Sequence, residues 1–316
     1  MQRTKIEWAE RVWNPITGCT KVSEGCRNCY AARMARRLAG RCGYPEAPHH
    51  FDVTLHPGRL KEPLCWKKPS VIFVCSMGDL FHERVMTSMQ LAIMDTMAKA
   101  SQHTFVVLTK RPQNMVNTIK WWCQEANGPL PDNIWLGVTV EDQETADERI
   151  PQLLQIPVAH YWVSYEPALG PVDLAGPLNG YPVERGGWHY VSHEMAMDAG
   201  DLSLEGERYE YEEHWDQQYQ PIEFVVAGGE SGPGARPAHP DWFKSVRDQC
   251  GAAELPFMFK AWGEWIPRPD IERKPQGSLL KDWRIWTDDV VMERVGKKRA
   301  GRLLDGVEHM ETPWGM

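Results

Sequence analysis

Residues 103–142, "HTFVVLTKRPQNMVNTIKWWCQEANGPLPDNIWLGVTVED", contain the pattern that decides the fold. Two short runs rich in β-branched and aromatic residues, "TFVVLT" and "NIWLGVTV", stand on either side of a stretch with helical spacing. Both runs are apolar on both faces, as parallel strands covered by helices are. Proline is favoured in the first turn of a helix, so Pro112 marks the helix start. The stretch therefore predicts a strand–helix–strand unit with parallel strands.

The same unit recurs along the chain. Further strand-like runs begin at Ser70, Ala159, Ile222 and Leu255, and most runs begin about 30 residues apart, the length of one strand–helix unit. Another short strand is expected within "TKIEWAERVWN", before residue 18. Polar residues end most runs, as they do in barrels with an active site at the carboxyl ends of their strands. No Gly-x-Gly-x-x-Gly or Walker motif follows the first strand-like run, and this argues against a doubly wound sheet. We therefore predict an α/β fold: a partial or complete (β/α) barrel of about six parallel strands, with an insertion and a small C-terminal appendage.

The spacing is interrupted once. The runs that begin at Ala159 and Ile222 are 63 residues apart, enough for one unit and an insertion, which we place at about residues 175–221. This segment has no clean period, and we weigh a lid or specificity loop against disordered decoration. We expect the barrel to occupy residues 1–267, and residues 268–316 to form an extension packed on it.

Composition limits the class of protein. The chain has 316 residues, of which 42% are hydrophobic and 25% charged, as in ordinary globular proteins. It has no run of 18 apolar residues and no apolar signal segment at its start, so we expect a soluble cytoplasmic protein without a membrane partner. The net charge of −8 argues against a protein that coats nucleic acid without sequence preference. Five arginines without an acid at residues 27–41 leave open a local basic face or a plain solvated helix face.

Residues 18–37, "GCTKVSEGCRNCYAARMARR", gather three of the eight cysteines in the spacing C-x6-C-x2-C. In a long chain without an export signal, clustered cysteines more often bind metal or do redox chemistry than form disulfides. Thiolates favour zinc or iron–sulfur clusters, and structural zinc needs four ligands. Cys19, Cys26 and Cys29 fit a four-iron cluster that keeps one iron open for a small molecule. The alternative is a zinc site in which Cys42 is the fourth ligand.

Polar residues at the ends of the strand runs are candidate site residues, because active sites of barrels lie at the carboxyl ends of their strands. Cationic side chains there can pair with a carboxylate or phosphate, and glutamates can bind an amine or ribose hydroxyls. The Gly-Gly-Glu sequence at 228–230 suits an amine, a ribose or a phosphate bound by backbone N–H groups, or only a tight turn that needs glycine. The strand-end candidates are Ser76, Asp79, Lys110, Arg111, Glu141, Ser164, Glu166, Glu230, Lys260 and Trp262.

Several motifs together resemble a phage-encoded three-cysteine-motif family, which is similar to the radical S-adenosylmethionine (SAM) enzymes. They are "WNPITGCTKVSEGCRNCY", "FDVTLHPGRL", "SMGDLFHE", "VLTKRP", "WLGVTVED", "GGESGPGARP" and "KAWGEW", and the resemblance covers residues 5–175 and 222–316. It implies that Cys19, Cys26 and Cys29 carry a [4Fe–4S] cluster whose open iron chelates the amino and carboxylate groups of SAM. It implies further that an external electron donor drives cleavage of the sulfonium to a 5′-deoxyadenosyl radical.

The resemblance also implies a class of substrate, and no catalytic residue is assigned. It favours a modified nucleobase in phage DNA, or another nucleic acid, as the substrate, and a base in duplex DNA would have to be flipped out. The chain departs from the usual pattern in the six-residue first gap, in Asn28 before the last cysteine, and in the late position of Gly-Gly-Glu.

The cofactor-binding candidates are Tyr30, Ser76, Asp79, Lys110, Ser164, Glu166, Gly228, Gly229 and Glu230, and the substrate candidates are Arg111, Glu141, Arg236, Lys260 and Trp262.

Two other interpretations stay open. One is a non-catalytic protein, stabilised by zinc or a cluster, that binds nucleic acid or another partner. The other is a phosphate-binding barrel enzyme whose main loop is "GGESGPGARP", with structural cysteines.

Overall fold

The computed structural model describes residues 4, 6–156, 158, 160–179, 222–268, 282–286 and 290–315 in full, and residues 183–191 and 208–216 by their backbone alone. The helices are α1 (Tyr30–Leu38), α2 (Thr87–Lys99), α3 (Pro112–Ala126), α4 (Gln143–Leu153), α5 (Ala175–Asn179), α6 (Pro240–Ala252) and α7 (Lys297–Ala300). The strands are β1 (Arg11–Trp13), β2 (Ile16–Thr17), β3 (Thr54–Leu55), β4 (Val71–Val74), β5 (Thr104–Thr109), β6 (Ile134–Val140), β7 (His160–Tyr165), β8 (Val183–Val191), β9 (Arg208–Asp216), β10 (Phe224–Gly228), β11 (Phe257–Ala261), β12 (Trp265–Pro267), β13 (Trp283–Ile285), β14 (Val291–Arg294), β15 (Leu303–Leu304) and β16 (Val307–Glu308).

A seven-stranded parallel sheet in the order β1-β4-β5-β6-β7-β10-β11 forms the centre of the fold. Neighbouring strands follow chain order, so the sheet lacks the reversal point of a doubly wound fold. Within the described residues β1 and β11 do not pair with each other, and the sheet is a half-barrel. The prediction of a partial barrel is confirmed. The strand count rises from about six to seven because the short strand β1 joins β4 through Arg11 and Ile72.

The strands separate two apolar layers. In β5, Phe105 and Val107 pack on the side of the helices, whereas Val106 faces the barrel interior. Right-handed crossovers that always advance in one direction bring their helices to one face of the sheet. The strands are therefore apolar on both faces, which is the pattern that the sequence contains.

Tryptophans fill the amino-terminal end of the barrel interior. Trp8, Trp135 and Trp162 belong to one buried cluster with Phe224. Gly137 makes room for this cluster, since a Cβ at that position would lie 2.4 Å from Trp162 Nε1. Because this end is packed with side chains, the interior space for a ligand lies toward the carboxyl ends of the strands.

The predicted insertion contains α5 and an antiparallel hairpin of β8 and β9, whose pairing runs from Val183 with Asp216 to Val191 with Arg208. Residues 180–182, 192–207 and 217–221 lie outside the described residues. The choice between a lid and a decoration therefore stays a prediction.

The C-terminal part packs against the edge of the barrel. Strands β12, β14 and β13 form an antiparallel sheet, and β15 and β16 form a hairpin. Met310 forms a bridge with Met258 beside β11, and Trp314 packs against Trp135 with ring centroids 5.4 Å apart. The domain boundary at residue 267 stays a prediction. No helix in the described part of the chain is long and apolar enough to cross a membrane.

Candidate active site

The three clustered cysteines line one cavity at the carboxyl end of the half-barrel. This inner cavity has a volume of about 300 Å³, and Cys19, Cys26 and Cys29 all contribute to its wall. Each of the three is a free thiol that is partly accessible. The inward-facing residues of the strands form the floor below them: Phe73, Leu108, Thr139, Ser164 and Lys260.

The structure separates the three clustered thiols from Cys42. Among the described residues, no three His, Cys, Asp or Glu side chains are placed to hold one metal ion. Cys42 is not among the described residues that line the inner cavity. It is exposed, and its carbonyl accepts a hydrogen bond from Arg59 Nη2 at 2.7 Å.

The cysteine loop, residues 18–29, is connected to the barrel by its backbone. The N–H of Gly18 donates to Met77 O at 2.9 Å, and the N–H of Cys19 donates to Phe51 O at 3.2 Å. Gly18 has a φ of +85°, and a Cβ there would lie 2.1 Å from Asp52 O. Only glycine fits this approach. The loop then forms a 3-10 turn over Glu24–Cys26 and reaches α1 at Cys29.

Arg111, which directly precedes α3, holds the first part of the cysteine loop. Its Nη2 donates to Thr20 O at 3.2 Å and to Thr20 Oγ1 at 2.8 Å, and its Nη1 lies 3.4 Å from Cys19 Sγ. Two carboxylates keep the guanidinium in place, Glu83 at 2.8 Å and Asp79 at 3.3 Å. Thr109 Oγ1 also donates to Asp79, at 2.8 Å. Arg111 is therefore bound to the loop, and Asp79 supports it from behind.

Glu141, at the end of β6, holds the middle of the cysteine loop. Its carboxylate is 1% exposed and accepts hydrogen bonds from Ser23 Oγ at 2.5 Å and from the N–H of Gly25 at 2.7 Å. Lys110 Nζ donates to the same carboxylate at 2.5 Å. Burial raises the pKa of Glu141, but Lys110 and the loop donors outweigh burial and hold the pKa below its usual value. A Cβ on Gly25 would lie 2.4 Å from the Glu141 carboxyl carbon, so this contact requires glycine.

Arg236, in the loop after β10, holds the turn before Cys26. Its Nη2 donates to Glu24 O at 2.9 Å, and its Nη1 lies 3.1 Å from Glu24 Oε2. Glu230 orients the guanidinium by accepting from its Nε at 3.0 Å and from its Nη2 at 2.8 Å. Asn28 Nδ2 donates to Gly234 O at 2.8 Å on the far side of the turn.

We call Arg111, Glu141 and Arg236 the loop anchors, since each comes from a different strand end and binds the cysteine loop. Their contacts fall on Thr20, Ser23, Glu24 and Gly25, all within the six-residue gap between Cys19 and Cys26. The long gap therefore supplies the residues by which the barrel orients the thiols.

The thiols differ in acidity. Burial and the nearby Asp79 carboxylate raise the pKa of Cys19 to about 11, while Arg111 acts in the opposite direction. Burial also raises the pKa of Cys26, but Lys110 and hydrogen bonds from the loop outweigh it and lower the pKa. Cys26 therefore forms its thiolate more readily than Cys19.

An ion pair between Glu166 and Lys260 remains accessible beside the thiols. Lys260 Nζ lies 2.9 Å from Glu166 Oε1, and both residues line the inner cavity. Burial lowers the pKa of Lys260, but Glu166 outweighs burial and raises it, so the amine stays charged. Ser164 Oγ donates to Glu166 at 3.4 Å. These side chains form a polar surface with both signs of charge.

An outer cavity of about 280 Å³ adjoins the inner one and opens to solvent. Six residues line both cavities: Gly25, Cys29, Tyr30, Lys110, Glu166 and Lys260. Tyr30 lies at the boundary with 61% of its surface exposed. The remaining lining residues of the outer cavity include Arg33, Gly229, Glu230, Ser231 and Lys297.

The remaining predicted residues have structural contacts. Ser76 lines the inner cavity, and its Oγ donates to Asn14 Oδ1 at 3.2 Å. The N–H of Gly229 donates to Ala261 O at 2.9 Å, and a Cβ on Gly229 would lie 2.0 Å from Trp262 O. The Gly228-Gly229 pair therefore allows β10 and the end of β11 to approach closely.

Trp262 packs outside the barrel interior. It contacts Phe243 of α6 with ring centroids 5.4 Å apart, and its Nε1 donates to Leu303 O at 2.8 Å. It does not line either cavity beside the cysteines.

Sequence reasoning missed the partners of the charged strand ends. Ser23, Gly25 and Asn28 connect the cysteine loop to other parts of the fold, and nothing in their spacing identifies the residues that they contact. Arg33 belongs to the arginine-rich stretch, but only the fold shows that it lines the outer cavity together with Lys297.

Comparisons with known proteins place the chain in a family. A family model described as "Protein of unknown function (DUF5131)" matches residues 3–313. No curated protein matches the chain. Among solved structures, the chain is similar to a spore photoproduct lyase complexed with dinucleoside spore photoproduct, with a TM-score of 0.39 and 7% identity over 95% of this chain and 72% of that chain. A TM-score of this size does not establish a common fold. Because the family model spans nearly the whole sequence, the chain belongs to the DUF5131 family.

Proposed function

We propose that this protein is a radical SAM enzyme of the three-cysteine-motif type, with a [4Fe–4S] cluster on Cys19, Cys26 and Cys29. The observation that carries the proposal is the position of these free thiols around one cavity at the carboxyl end of a parallel half-barrel. Three thiolates leave one iron of a four-iron cluster without a protein ligand. When bound, the cluster and SAM supply a 5′-deoxyadenosyl radical after electron transfer from an external donor.

The chain contributes a loop that is oriented before any ligand binds. The loop anchors fix the segment between Cys19 and Cys26 by hydrogen bonds from three strand ends. Groups that hold metal ligands in place raise affinity because less freedom is lost on binding. We therefore assign Asp79, Lys110 and Glu230 to positioning, together with the anchors.

SAM binding is assigned to the side chains that remain accessible in the two cavities. Glu166 can accept hydrogen bonds from an ammonium group, and Lys260 can donate to a carboxylate, so the pair matches an amino-acid moiety. Ser164 lies next to Glu166. Tyr30, with its exposed ring, stands at the opening.

The proposed substrate is a nucleic acid, with a modified base in phage DNA as the form that the sequence resemblance favours. The arginine-rich helix α1 starts directly after Cys29 and agrees with a polyanionic substrate. No reaction outcome among methylation, rearrangement and lyase chemistry is assigned.

Anaerobic purification with analysis of iron, sulfide and zinc tests the proposal. The protein is expected to be brown and to contain iron and sulfide. Cys19→Ala, Cys26→Ala and Cys29→Ala should each abolish iron binding, because three ligands have no redundancy. Cys42→Ala is the matched control and should retain the cluster. A colourless protein with zinc, or a Cys42→Ala variant that loses its metal as fully as the others, would overturn the proposal in favour of a zinc-stabilised binding protein.

A further inference from the structure

Three cationic side chains, which we call the cationic rim, lie at or beside the outer cavity: Arg33, Arg294 and Lys297. Arg33 and Lys297 line the cavity from α1 and α7. Arg294 Nη2 donates to Gly232 O at 3.2 Å. Arg33 also lies against Gly232, since a Cβ on Gly232 would be 1.2 Å from Arg33 Nη1. Arg33 and Arg294 thus meet at Gly232, next to Ser231 of the cavity wall, although they lie far apart in sequence.

The cationic rim has a local excess of positive charge. Deeper in the site, Lys110, Lys260 and Arg236 each form an ion pair with a glutamate. Within the part of the chain that the structure describes, no carboxylate lies within ion-pair distance of Arg33, Arg294 or Lys297. The nearby Glu264 accepts from the N–H of Gly232 at 2.8 Å. In a protein with a net charge of −8, such unpaired cations favour an anionic ligand.

The positive charge extends away from the cavity along two helices. On α1, Arg37 lies one turn beyond Arg33 and is exposed, and residues four apart share a helix face. On α7, Lys298 and Arg299 are exposed beside Lys297. Exposed cations at several positions beyond the cavity suit a ligand with repeated charges rather than a single phosphate.

Tyr30 adds an aromatic surface beside these cations. It lies three residues before Arg33, on the same face of α1, and 61% of its surface is exposed. Proteins that bind single strands combine cations along the backbone with aromatic rings on which bases stack. The outer cavity, at about 280 Å³, suits one nucleotide-sized group.

We propose that the cationic rim binds the phosphodiester backbone of a single-stranded or locally opened nucleic acid, with a base stacked on Tyr30 and one nucleotide directed into the cavity. This inference rests on the proposed function and names how its substrate is held. A strand in this position would bring one nucleotide next to Cys29 and the Glu166–Lys260 pair, which line both cavities.

Fluorescence anisotropy with a labelled single-stranded DNA of about ten nucleotides, over a series of salt concentrations, tests the inference. The double variant Arg33→Ala/Lys297→Ala should weaken binding about tenfold at low salt, and the slope of log affinity against log salt should fall by about 1.4, since each phosphate contact contributes about 0.7. Tyr30→Ala should weaken binding about tenfold through lost stacking without changing the slope.

The double variant Lys67→Ala/Lys99→Ala is the matched control. Both lysines are exposed and lie near the amino-terminal ends of β4 and β5, at the opposite end of the barrel. It removes the same charge and should bind like the wild type. Circular dichroism melts of all variants establish that each is folded.

Equal weakening by the rim and control variants, or no binding at low salt, would overturn the inference. So would a mononucleotide that competes as well as the oligonucleotide, because a strand offers several phosphates. Iron content and SAM cleavage are measured on the same preparations. A wild-type protein that cleaves SAM but binds no strand refutes only the cationic rim, whereas strand binding by a protein that never contains iron refutes only the proposed function.

Discussion

Replacing Glu141 by glutamine removes one charge from the most enclosed loop anchor. Glutamine keeps the shape of the side chain, but it has one acceptor oxygen and turns an NH₂ group toward other donors. Some of the present donors therefore lose their acceptor. The donors to the Glu141 carboxylate are Ser23 Oγ at 2.5 Å, the Gly25 N–H at 2.7 Å and Lys110 Nζ at 2.5 Å. Arg149 Nη1, which donates to Thr139 O, forms an ion pair with Glu141 at 3.5 Å.

The size of the effect follows from burial. Hydrogen bonds to a charged group contribute about 1.5–3 kcal/mol each, and removing one partner of a buried ion pair costs about 3–5 kcal/mol. The Lys110 side chain is 18% exposed and can regain water, so we expect the lower end, about 3 kcal/mol. Since 1.4 kcal/mol is a factor of ten, the cysteine loop should open about a hundred times more often in Glu141→Gln.

Hydrogen–deuterium exchange of the peptide covering residues 18–29 measures this opening. We expect the Gly25 amide to exchange about a hundred times faster in Glu141→Gln, and the free energy of unfolding in urea to fall by about 3 kcal/mol. Glu148→Gln is the matched control. Its carboxylate is 61% exposed and 3.8 Å from Arg149, so its stability should change by less than about 0.5 kcal/mol.

Exchange of the Gly25 amide at the wild-type rate in Glu141→Gln would refute the anchor role. Equal acceleration in Glu148→Gln would refute it as well, since the effect would then reflect general loosening of α4 and not the contact with the loop.

Three further predictions concern the same region. The pKa of Glu141 in the folded protein lies below its unfolded value of about 4.3. Glu141 therefore stabilises the protein above that pH and ceases to do so as the pH falls through the folded-state pKa. The free energies of unfolding in urea of wild type and Glu141→Gln should converge in acid, and a constant difference would contradict this. Gly229→Ala places a Cβ 2.0 Å from Trp262 O and should lower stability by about 1–3 kcal/mol, whereas an unchanged melting temperature would show that the two segments can separate. Arg111→Lys keeps the charge but loses the paired donors to Thr20, and it should release iron faster to a chelator; release at the wild-type rate would count against this anchor.

The sequence predicted the barrel because strand and helix patterns alternate at a regular interval, and local pattern is enough to fix that order. The strand β1 has only three residues, too short for a clear pattern, and its place depends on pairing with β4. The inward direction of Ser164 and Lys260 follows from alternation along their strands. Trp262 breaks this pattern because the chain leaves β11 at Ala261 and turns toward Leu303.

The cysteines could be predicted as one site, since a single loop carries them to the carboxyl end of the barrel. The roles of the charged residues at the strand ends could not be predicted, because the sequence shows where each residue lies but not which residue it binds. Glu141 meets Gly25 across 116 residues, and Arg236 meets Glu24 across 212. Those pairings depend on the path of the cysteine loop over the barrel, which no local pattern encodes.

Electron paramagnetic resonance of the anaerobically reduced protein, with and without SAM, tests the central claim most directly. If Cys19, Cys26 and Cys29 hold a four-iron cluster with an open iron, the reduced protein gives a cluster signal. Addition of SAM changes that signal, because its amino and carboxylate groups bind the open iron. The account predicts the same change in Cys42→Ala. A protein without a cluster signal, or a signal that SAM leaves unaltered, would contradict it.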